Sequence, residues 1–339
     1  LTINFIVFSV IATCFSHIIL IFLLHKNDSK IQQWILISTK KFNNVLDSNM
    51  QNINYKYKIL PLNNSEELYE LDFNKKKYKG IIVNPDCMDF KLDFEFLKNN
   101  NLIYYDIKDW CKIYIQRFPP EIIKSTDNFK INKLLSENNF EYFLKRFADI
   151  ALSFILLIIT MPVLLIFSIL IYLEDFGPIF YSQMRTGQNL KIFRIYKLRS
   201  MKVNSEQGIP KWASSNDRRI SRVGKFIRST RIDELPQLWS VLKGEMSLIG
   251  PRPERPEFDE ILGKKIANYY NRYNIRPGLS GWAQVNYPYG ASVEDARNKL
   301  SYDLYYLENF SFFLDTLILF KTIKLVLNAK GSEKGSNVS

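Results

Sequence analysis

The chain has 339 residues, enough for two modest domains or one large one, and its 47% hydrophobic and 24% charged residues exclude a wholly disordered or fibrous protein. Its net charge of +12 points to anionic partners: nucleic acid, acidic lipid headgroups or phosphorylated small molecules. The only histidines, His17 and His25, lie in or beside the first apolar stretch, and Cys14, Cys87 and Cys111 are sparse and far apart. Ser-His-Asp and Cys-His catalysis, a His-ligated zinc and a secreted disulfide framework are thereby disfavoured. Carboxylates, Lys, Arg, hydroxyls and a hard metal ion are left to do any chemistry.

Leu1–Leu24 has no charged residue and is long enough to cross a bilayer, which takes about 20 apolar residues. A signal peptide is the competing reading, disfavoured by the missing basic n-region and cleavage site. The positive-inside rule puts the Lys26 side in the cytoplasm, and a first residue of Leu rather than Met is expected if the true start lies upstream. Beyond it, strands are expected at Trp34–Ser38, Tyr57–Leu62, Lys79–Asn84 and Leu102–Asp106, with polar helical stretches between them. That rhythm predicts a small parallel α/β domain. Where a dinucleotide fold carries its glycines the sequence reads Ser38-Thr39-Lys40-Lys41, so a nucleotide site is unsupported and an accessory or oligomerisation module is expected. Ser125–Asn139 reads as a linker or exposed helix.

Phe147–Leu173 is a second apolar stretch, with Asp149 its only charge and Pro162 near its middle. A straight span would separate residues 26–146 from 174–339. A helix broken at Pro162 would return to the same face, because proline removes a helix hydrogen bond and clashes with the preceding turn. The two polar parts carry net charges of +4 and +9, so neither looks exported. On physics alone both topologies stand.

Four clusters in the C-terminal region carry the chemistry. In Lys191–Met201, Ile192, Ile195 and Leu198 are expected inside, with Lys197 and Arg199 either snorkelling or facing phosphate. In Arg228–Gly244, Leu235, Leu238, Trp239 and Leu242 recur at i, i+3, i+4 and i+7, predicting an amphipathic helix that stops at Gly244. Pro236 is tolerable only in its first turn, which sets Asp233 and Glu234 at the N-terminus. Capping after Ser229 or Thr230 would account for both carboxylates. The alternative is that the helix dipole, with Arg228 and Arg231, keeps one carboxylate ionised for nucleophilic attack while its neighbour holds Mg²⁺. In Gly250-Pro251-Arg252-Pro253, the flanking prolines present a guanidinium suited to phosphate, or to an ordinary ion pair. In Arg276–Asn286 the glycines permit close backbone approach, and Trp282 could pack under a base or a membrane surface.

These blocks, with Lys145-Arg146-Phe147-Ala148-Asp149 and Tyr302–Phe310, resemble the bacterial sugar transferase family, the monotopic phosphoglycosyl transferases. The resemblance runs from about Lys145 to Leu327. It implies transfer of a sugar-1-phosphate from a UDP-sugar to undecaprenyl or another polyprenyl phosphate at the cytoplasmic face of the bacterial inner membrane. Asp233 would be the nucleophile, Glu234 the Mg²⁺ ligand, and Lys197, Arg199, Arg228, Pro251, Arg252, Pro253 and Arg276 the substrate-binding set. It also implies a re-entrant helix. The family's break is often Ser-Pro and here is Met161-Pro162, leaving Thr160 as the hydroxyl expected near the freed carbonyl. Long members precede the catalytic part with a transmembrane bundle and a Rossmann-like domain, so one apolar helix suggests an abbreviated form or a fragment.

The expected organisation is a transmembrane helix (1–25), a Rossmann-like α/β accessory domain (26–125), a linker (126–145) and a flexible tail (331–339). Between linker and tail lies an α-rich (α+β) membrane-embedded catalytic domain (146–330), with its Pro-broken re-entrant helix at 147–173. Phe310–Phe320 is expected either in the core or in the membrane interface with Lys321 and Lys324 toward headgroups. Membrane lipids are expected partners, nucleic acid is not, and oligomeric state is open, a homodimer included. A non-enzymatic scaffold of glycan assembly is the rival; it gives no reason to keep the Asp233-Glu234 and Pro251-Arg252-Pro253 blocks together.

Overall fold

The computed structural model describes residues 32–38, 57–62, 66–71, 78–84, 94–124, 129–130, 140–203, 219–288, 290 and 292–327. The expected transmembrane segment (1–25), residues 126–128 and 131–139 of the expected linker, residues 204–218 and the expected tail fall outside them, while residues 140–145 of that linker belong to the long helix that follows. The chain divides into two compact units at Gln116/Arg117.

The first unit holds β1 (Gln32–Ile37), β2 (Tyr57–Leu62), β3 (Tyr78–Val83) and β4 (Ile103–Asp106) in one sheet of order β2-β1-β3-β4, all pairs parallel. All four expected strands form, within a residue or two at each end. A parallel sheet is covered on both faces, so its strands read as continuous apolar runs rather than alternating ones. Ile35 and Ile37 pack with Leu62, Ile81, Val83 and Leu97 on one face. Trp34 points the other way, into Trp110, Tyr105 and Tyr114.

The second unit begins with a strap, Arg117–Lys124, built into its own core. Phe118 N–H donates to the Ser301 carbonyl (2.8 Å), and the Asn268 amide donates to the Pro120 and Ile123 carbonyls (2.8 Å each). Next comes α1 (Phe140–Asp175), 36 residues and continuous through Pro162, long and apolar enough to cross a membrane. At 1.5 Å per residue it is about 54 Å long. Phe154, Ile158, Ile159, Met161 and Leu165 on its middle stretch are all more than half exposed. The Thr160 hydroxyl donates to the Leu156 carbonyl (2.7 Å), not to the Ile158 carbonyl that Pro162 leaves unbonded, because a helical Thr reaches back four residues.

Both ends of α1 are tied to the unit that follows. At its start Lys145 Nζ donates to the Ile249 carbonyl (2.9 Å) and pairs with Asp315 (2.7 Å). Arg146 donates to the Val241 and Leu242 carbonyls, and Asp149 accepts the Leu248 N–H (3.0 Å). At its end Asp175 pairs with Arg199, Glu174 accepts the Arg222 N–H (2.8 Å), and Ile171 packs with Leu198 and Ile227.

After α1 come the antiparallel hairpin β5 (Phe180–Thr186) and β6 (Ile192–Leu198), then α2 (Arg222–Ser229) and a 3₁₀ turn (Ile232–Gln237). There follow α3 (Leu238–Lys243), β7 (Ser247–Ile249), α4 (Pro256–Lys265), a second 3₁₀ turn (Tyr269–Asn274) and β8 (Gly278–Ser280). α5 (Val293–Asn309) and α6 (Phe312–Leu327) close the unit. Strands β7 and β8 pair in parallel, and they approach so closely that a Cβ on Gly278 would lie 2.1 Å from the Gly250 nitrogen.

Three packing expectations change. In β6, Ile195 and Leu198 are buried as expected, but Ile192 is exposed and Phe193 is buried in its place. Trp239 is 54% exposed, while Leu238 and Val241 are buried. The residues before Leu238 wind as 3₁₀ with three per turn, which rotates the apolar face away from the one a 3.6-residue period predicts. Trp282 is buried and stacks on Tyr305 with Lys321 Nζ 4.3 Å above its ring, so it is a core platform and Lys321 does not reach outward. Helix α6 is packed on one side only, through Leu314 and Ile318, with Phe320, Ile323 and Leu327 exposed.

Candidate active site

Asp233 and Glu234 sit in the first turn of the 3₁₀ segment Ile232–Gln237, directly after Arg231, whose backbone is left-handed (φ 61°, ψ 15°). A non-glycine residue there costs about 1 kcal/mol and turns the chain sharply out of α2. Both carboxylates are consequently directed inward and buried. The capping explanation fails: Ser229 and Thr230 hydroxyls donate back to the Phe226 carbonyl, and the Arg231 side chain at the N-cap position makes no cap hydrogen bond.

The two carboxylates have opposite surroundings. Glu234 Oε1 pairs with Lys197 Nζ at 2.8 Å, with Arg252 at 2.5 Å and with Arg231 at 3.8 Å. Arg252 also reaches Oε2, at 3.4 Å. Burial pushes the Glu234 carboxyl up, yet Arg252, Lys197 and Arg231 together hold it well below the usual range. Asp233 Oδ1, by contrast, is buried and accepts no hydrogen bond from the described residues. Burial, then the charge of Glu234, raises its pKa to about 6 against the pull of Lys197, Arg231 and Arg228. On Asp233 burial and the neighbouring carboxylate outweigh the pull of the cations. Above pH 6 it is still mainly ionised, and its Oδ1 has no hydrogen bond from the described residues to blunt its nucleophilicity.

Each surrounding group is placed by its element. Lys197 lies on the same face of β6 as Phe193 and Ile195, two residues apart each time, which aims its ammonium under the 3₁₀ turn. Burial lowers its pKa, opposed first by Glu234. Arg252 is delivered by a loop fixed at successive carbonyls. Pro251 O accepts the Gly278 N–H (2.8 Å), Pro253 O accepts Arg185 (3.1 Å), and Glu254 O accepts the Thr186 N–H (3.0 Å). Of the two readings of Arg252, the structure contains the ion pair, with Glu234.

Two residues of the expected substrate-binding set are engaged elsewhere. Arg199 is buried against Asp175 and the Ile171 carbonyl, closing the end of α1. Arg276 donates to the Gly244 carbonyl (2.9 Å) and the Tyr142 hydroxyl (2.6 Å), beside the left-handed Gly244 that terminates α3. Arg228 lies close enough to Asp233 to favour its charge. Sequence reasoning missed Arg185 and Arg272; for Arg272 the signal was a basic residue among aromatics in Tyr269-Tyr270-Asn271-Arg272-Tyr273.

The donor set is two adjacent carboxylates, and no cluster of three or more His, Cys, Asp and Glu occurs among the described residues. Hard carboxylate oxygens suit Mg²⁺, which is commonly held by one or two carboxylates together with substrate phosphates, and here Glu234 Oε1 and Oε2 are occupied by Lys197 and Arg252, cations that a phosphate could draw off. The residues present therefore fit that ion as a shared protein–phosphate site.

A family described as bacterial sugar transferase matches residues 140–329. A UDP-N-acetylgalactosamine-undecaprenyl-phosphate N-acetylgalactosaminephosphotransferase of Aeromonas hydrophila is 48% identical over 190 residues, covering 56% of this chain and 45% of that protein. A Bacillus subtilis protein, provisionally named an undecaprenyl-phosphate N-acetylgalactosaminyl 1-phosphate transferase, is 51% identical over 139 residues, 41% of this chain and 78% of its own length. A UDP-glucose:undecaprenyl-phosphate glucose-1-phosphate transferase of Escherichia coli is 37% identical over 182 residues, 53% of this chain and 39% of that one. The match thus spans less than half of the Aeromonas and Escherichia proteins.

Proposed function

Since the chain belongs to the bacterial sugar transferase family, we propose that it transfers a sugar-1-phosphate from a UDP-sugar to undecaprenyl phosphate through a covalent intermediate on Asp233. The observation that carries this reading is the contrast within one buried pair: Glu234 clamped by Lys197 and Arg252, and Asp233 with an unpartnered oxygen. An Asp233 oxygen attacks the β-phosphorus, the bond from that phosphorus to the bridging oxygen breaks, and UMP leaves with the bond electrons. An oxygen of the lipid phosphate then attacks the same phosphorus and expels the Asp233 carboxylate, ready for another cycle.

In this cycle Arg252 and Lys197 turn from Glu234 to the donor's phosphates, which offer more negative charge at bidentate spacing. Arg228 and Arg231 favour the ionised form of Asp233 before attack. Glu234, released by its cations, would hold Mg²⁺ together with phosphate oxygens. The ion would supply charge neutralisation on the diphosphate. The relatives at about half identity are named for N-acetylgalactosamine, so UDP-N-acetylgalactosamine is the first donor to try. The test is UMP release by purified protein with Mg²⁺ and a panel of UDP-sugars, with and without undecaprenyl phosphate. Lipid-dependent UMP release, lost in Asp233→Asn, is expected; full activity in that variant would overturn the assignment.

The anchoring of α1 supports a path for it in the membrane. Lys145 near one end and Asp175 at the other bind the same catalytic unit. A crossing that put these ends on opposite faces of a bilayer would pull that unit apart. We therefore place both ends at the cytoplasmic face of the inner membrane, with α1 bending at Pro162, where one helix hydrogen bond is missing, and its exposed apolar middle dipping into lipid as a re-entrant helix. Single cysteines replacing Glu141 and Gln188, in a background without the native cysteines, should label from the same side of sealed vesicles. Labelling from opposite sides would contradict the path.

A further inference from the structure

Arg252 lies between two prolines, so neither neighbouring residue has an N–H with which to lock this stretch into a ladder. Its own carbonyl is held instead by a side chain. Arg272 Nη2 donates to the Arg252 carbonyl at 2.7 Å and lies 3.0 Å from Asp303 Oδ2 on α5. Arg272 Nη1 donates to the Tyr269 hydroxyl at 3.2 Å, and the Tyr269 and Tyr273 hydroxyls both donate to Asp259 Oδ1. The guanidinium carbon stands 5.5 and 5.7 Å from the ring centroids of Tyr269 and Tyr273. Arg272 and Asp303 are both buried, with side chains 9% and 2% exposed.

A buried ion pair is a poor device for stability alone, since apolar residues of similar volume commonly do as well or better. What this one adds is a rigid fork whose direction is set on three sides and whose remaining contact is a single peptide carbonyl in the active-site loop. We infer that Arg272, oriented by Asp303, is a positioning residue for donor cleavage: it fixes the Arg252 peptide and so aims the Arg252 guanidinium at the site beside Asp233. The inference rests on the transfer reading above.

The test is a double-mutant cycle on the full chain in detergent, reading kcat and KM for UMP release together with the unfolding midpoint. Arg272→Lys keeps the charge opposite Asp303 and removes the fork. It should lower kcat/KM by about 10²-fold, the scale of a 1 Å misplacement, with the midpoint within a few degrees of wild type. In an Arg252→Ala background the same change should alter the residual rate less than about twofold, since no guanidinium remains to be aimed. Should Arg272→Lys unfold the protein, Arg272→Met with Asp303→Leu removes both charges, and this pair should restore the midpoint and leave the activity low. Equal losses in both backgrounds, or wild-type turnover in a folded variant, would overturn the inference and leave the transfer reading standing. If wild type releases no UMP with any donor, the transfer reading fails and amide exchange decides. Arg272→Lys should then speed exchange at Arg252 and Glu254, and unchanged exchange there would refute the anchoring.

Discussion

Replacing Asp233 with Asn should kill turnover and stabilise the protein. Asp233 Oδ1 is buried with no donor from the described residues, beside a Glu234 that is held ionised. Its pKa rises from the ordinary 3.8 to about 6. A carboxyl whose folded-state pKa exceeds its unfolded value opposes folding when it ionises. That cost is absent below about pH 4, grows between the two pKa values and is complete above about pH 6. At 1.36 kcal/mol per pH unit, a rise of about two units corresponds to about 3 kcal/mol. Asn has the same shape and no charge, so it removes the cost at high pH and changes little at low pH. Unfolding midpoints in detergent should therefore show Asp233→Asn above wild type at pH 8, by about 4–8 °C for each 2 kcal/mol, with the gap closing at pH 4.5. UMP release should fall by at least about 10³-fold, as for a lost nucleophile. A variant equal to or less stable than wild type at pH 8 would refute the electrostatic account of this pair, whatever its activity.

Donor cleavage by wild type should fall about tenfold per pH unit below pH 6, because the protonated Asp233 that then predominates cannot attack; a pH–rate profile flat down to pH 4.5 would contradict this. Lys145→Met leaves Asp315 buried without its partner and the Ile249 carbonyl without its ammonium donor. Denaturant titration should show a loss of about 3 kcal/mol, mostly recovered when Asp315→Leu is added. Gly278→Ala drives a Cβ to within 2.1 Å of the Gly250 backbone nitrogen, so it should destabilise by more than about 2 kcal/mol and lower UMP release together; a normal midpoint would show that β7 and β8 can part without harm.

Local pattern carried far into this fold and then stopped at identifiable residues. The parallel strands were legible because a sheet covered on both faces demands apolar runs such as Ile35–Ile37 and Ile81–Val83. Gly244 was legible as a stop because only a left-handed residue ends α3 there (φ 88°). Trp239 was misplaced because a 3₁₀ turn is invisible to a 3.6-residue count, and Ile192 because burial in β6 begins only at Phe193. Asp233, Glu234, Lys197 and Arg252 lie in separate sequence clusters that only the family resemblance joined into one site, and the structure gathers them around one buried pair. Arg199 and Arg276 look like phosphate ligands in sequence because they are basic and flanked by apolar or rigid residues. Their partners, Asp175 and the Gly244 carbonyl, come from elsewhere in the chain and only folding reveals them. Arg272 and Asp303 were missed for the same reason, being 31 positions apart and joined only through the loop they hold.

The central claim is that Asp233 becomes covalently attached to the phosphosugar. The direct measurement is intact and peptide mass spectrometry of protein incubated with Mg²⁺ and a UDP-sugar that supports turnover, before and after undecaprenyl phosphate is added. The account predicts a phosphosugar adduct on the peptide carrying Asp233, formed with UMP release in the absence of lipid and discharged when the lipid phosphate arrives. Turnover that proceeds with no adduct at Asp233, or with the adduct on another residue, would contradict it.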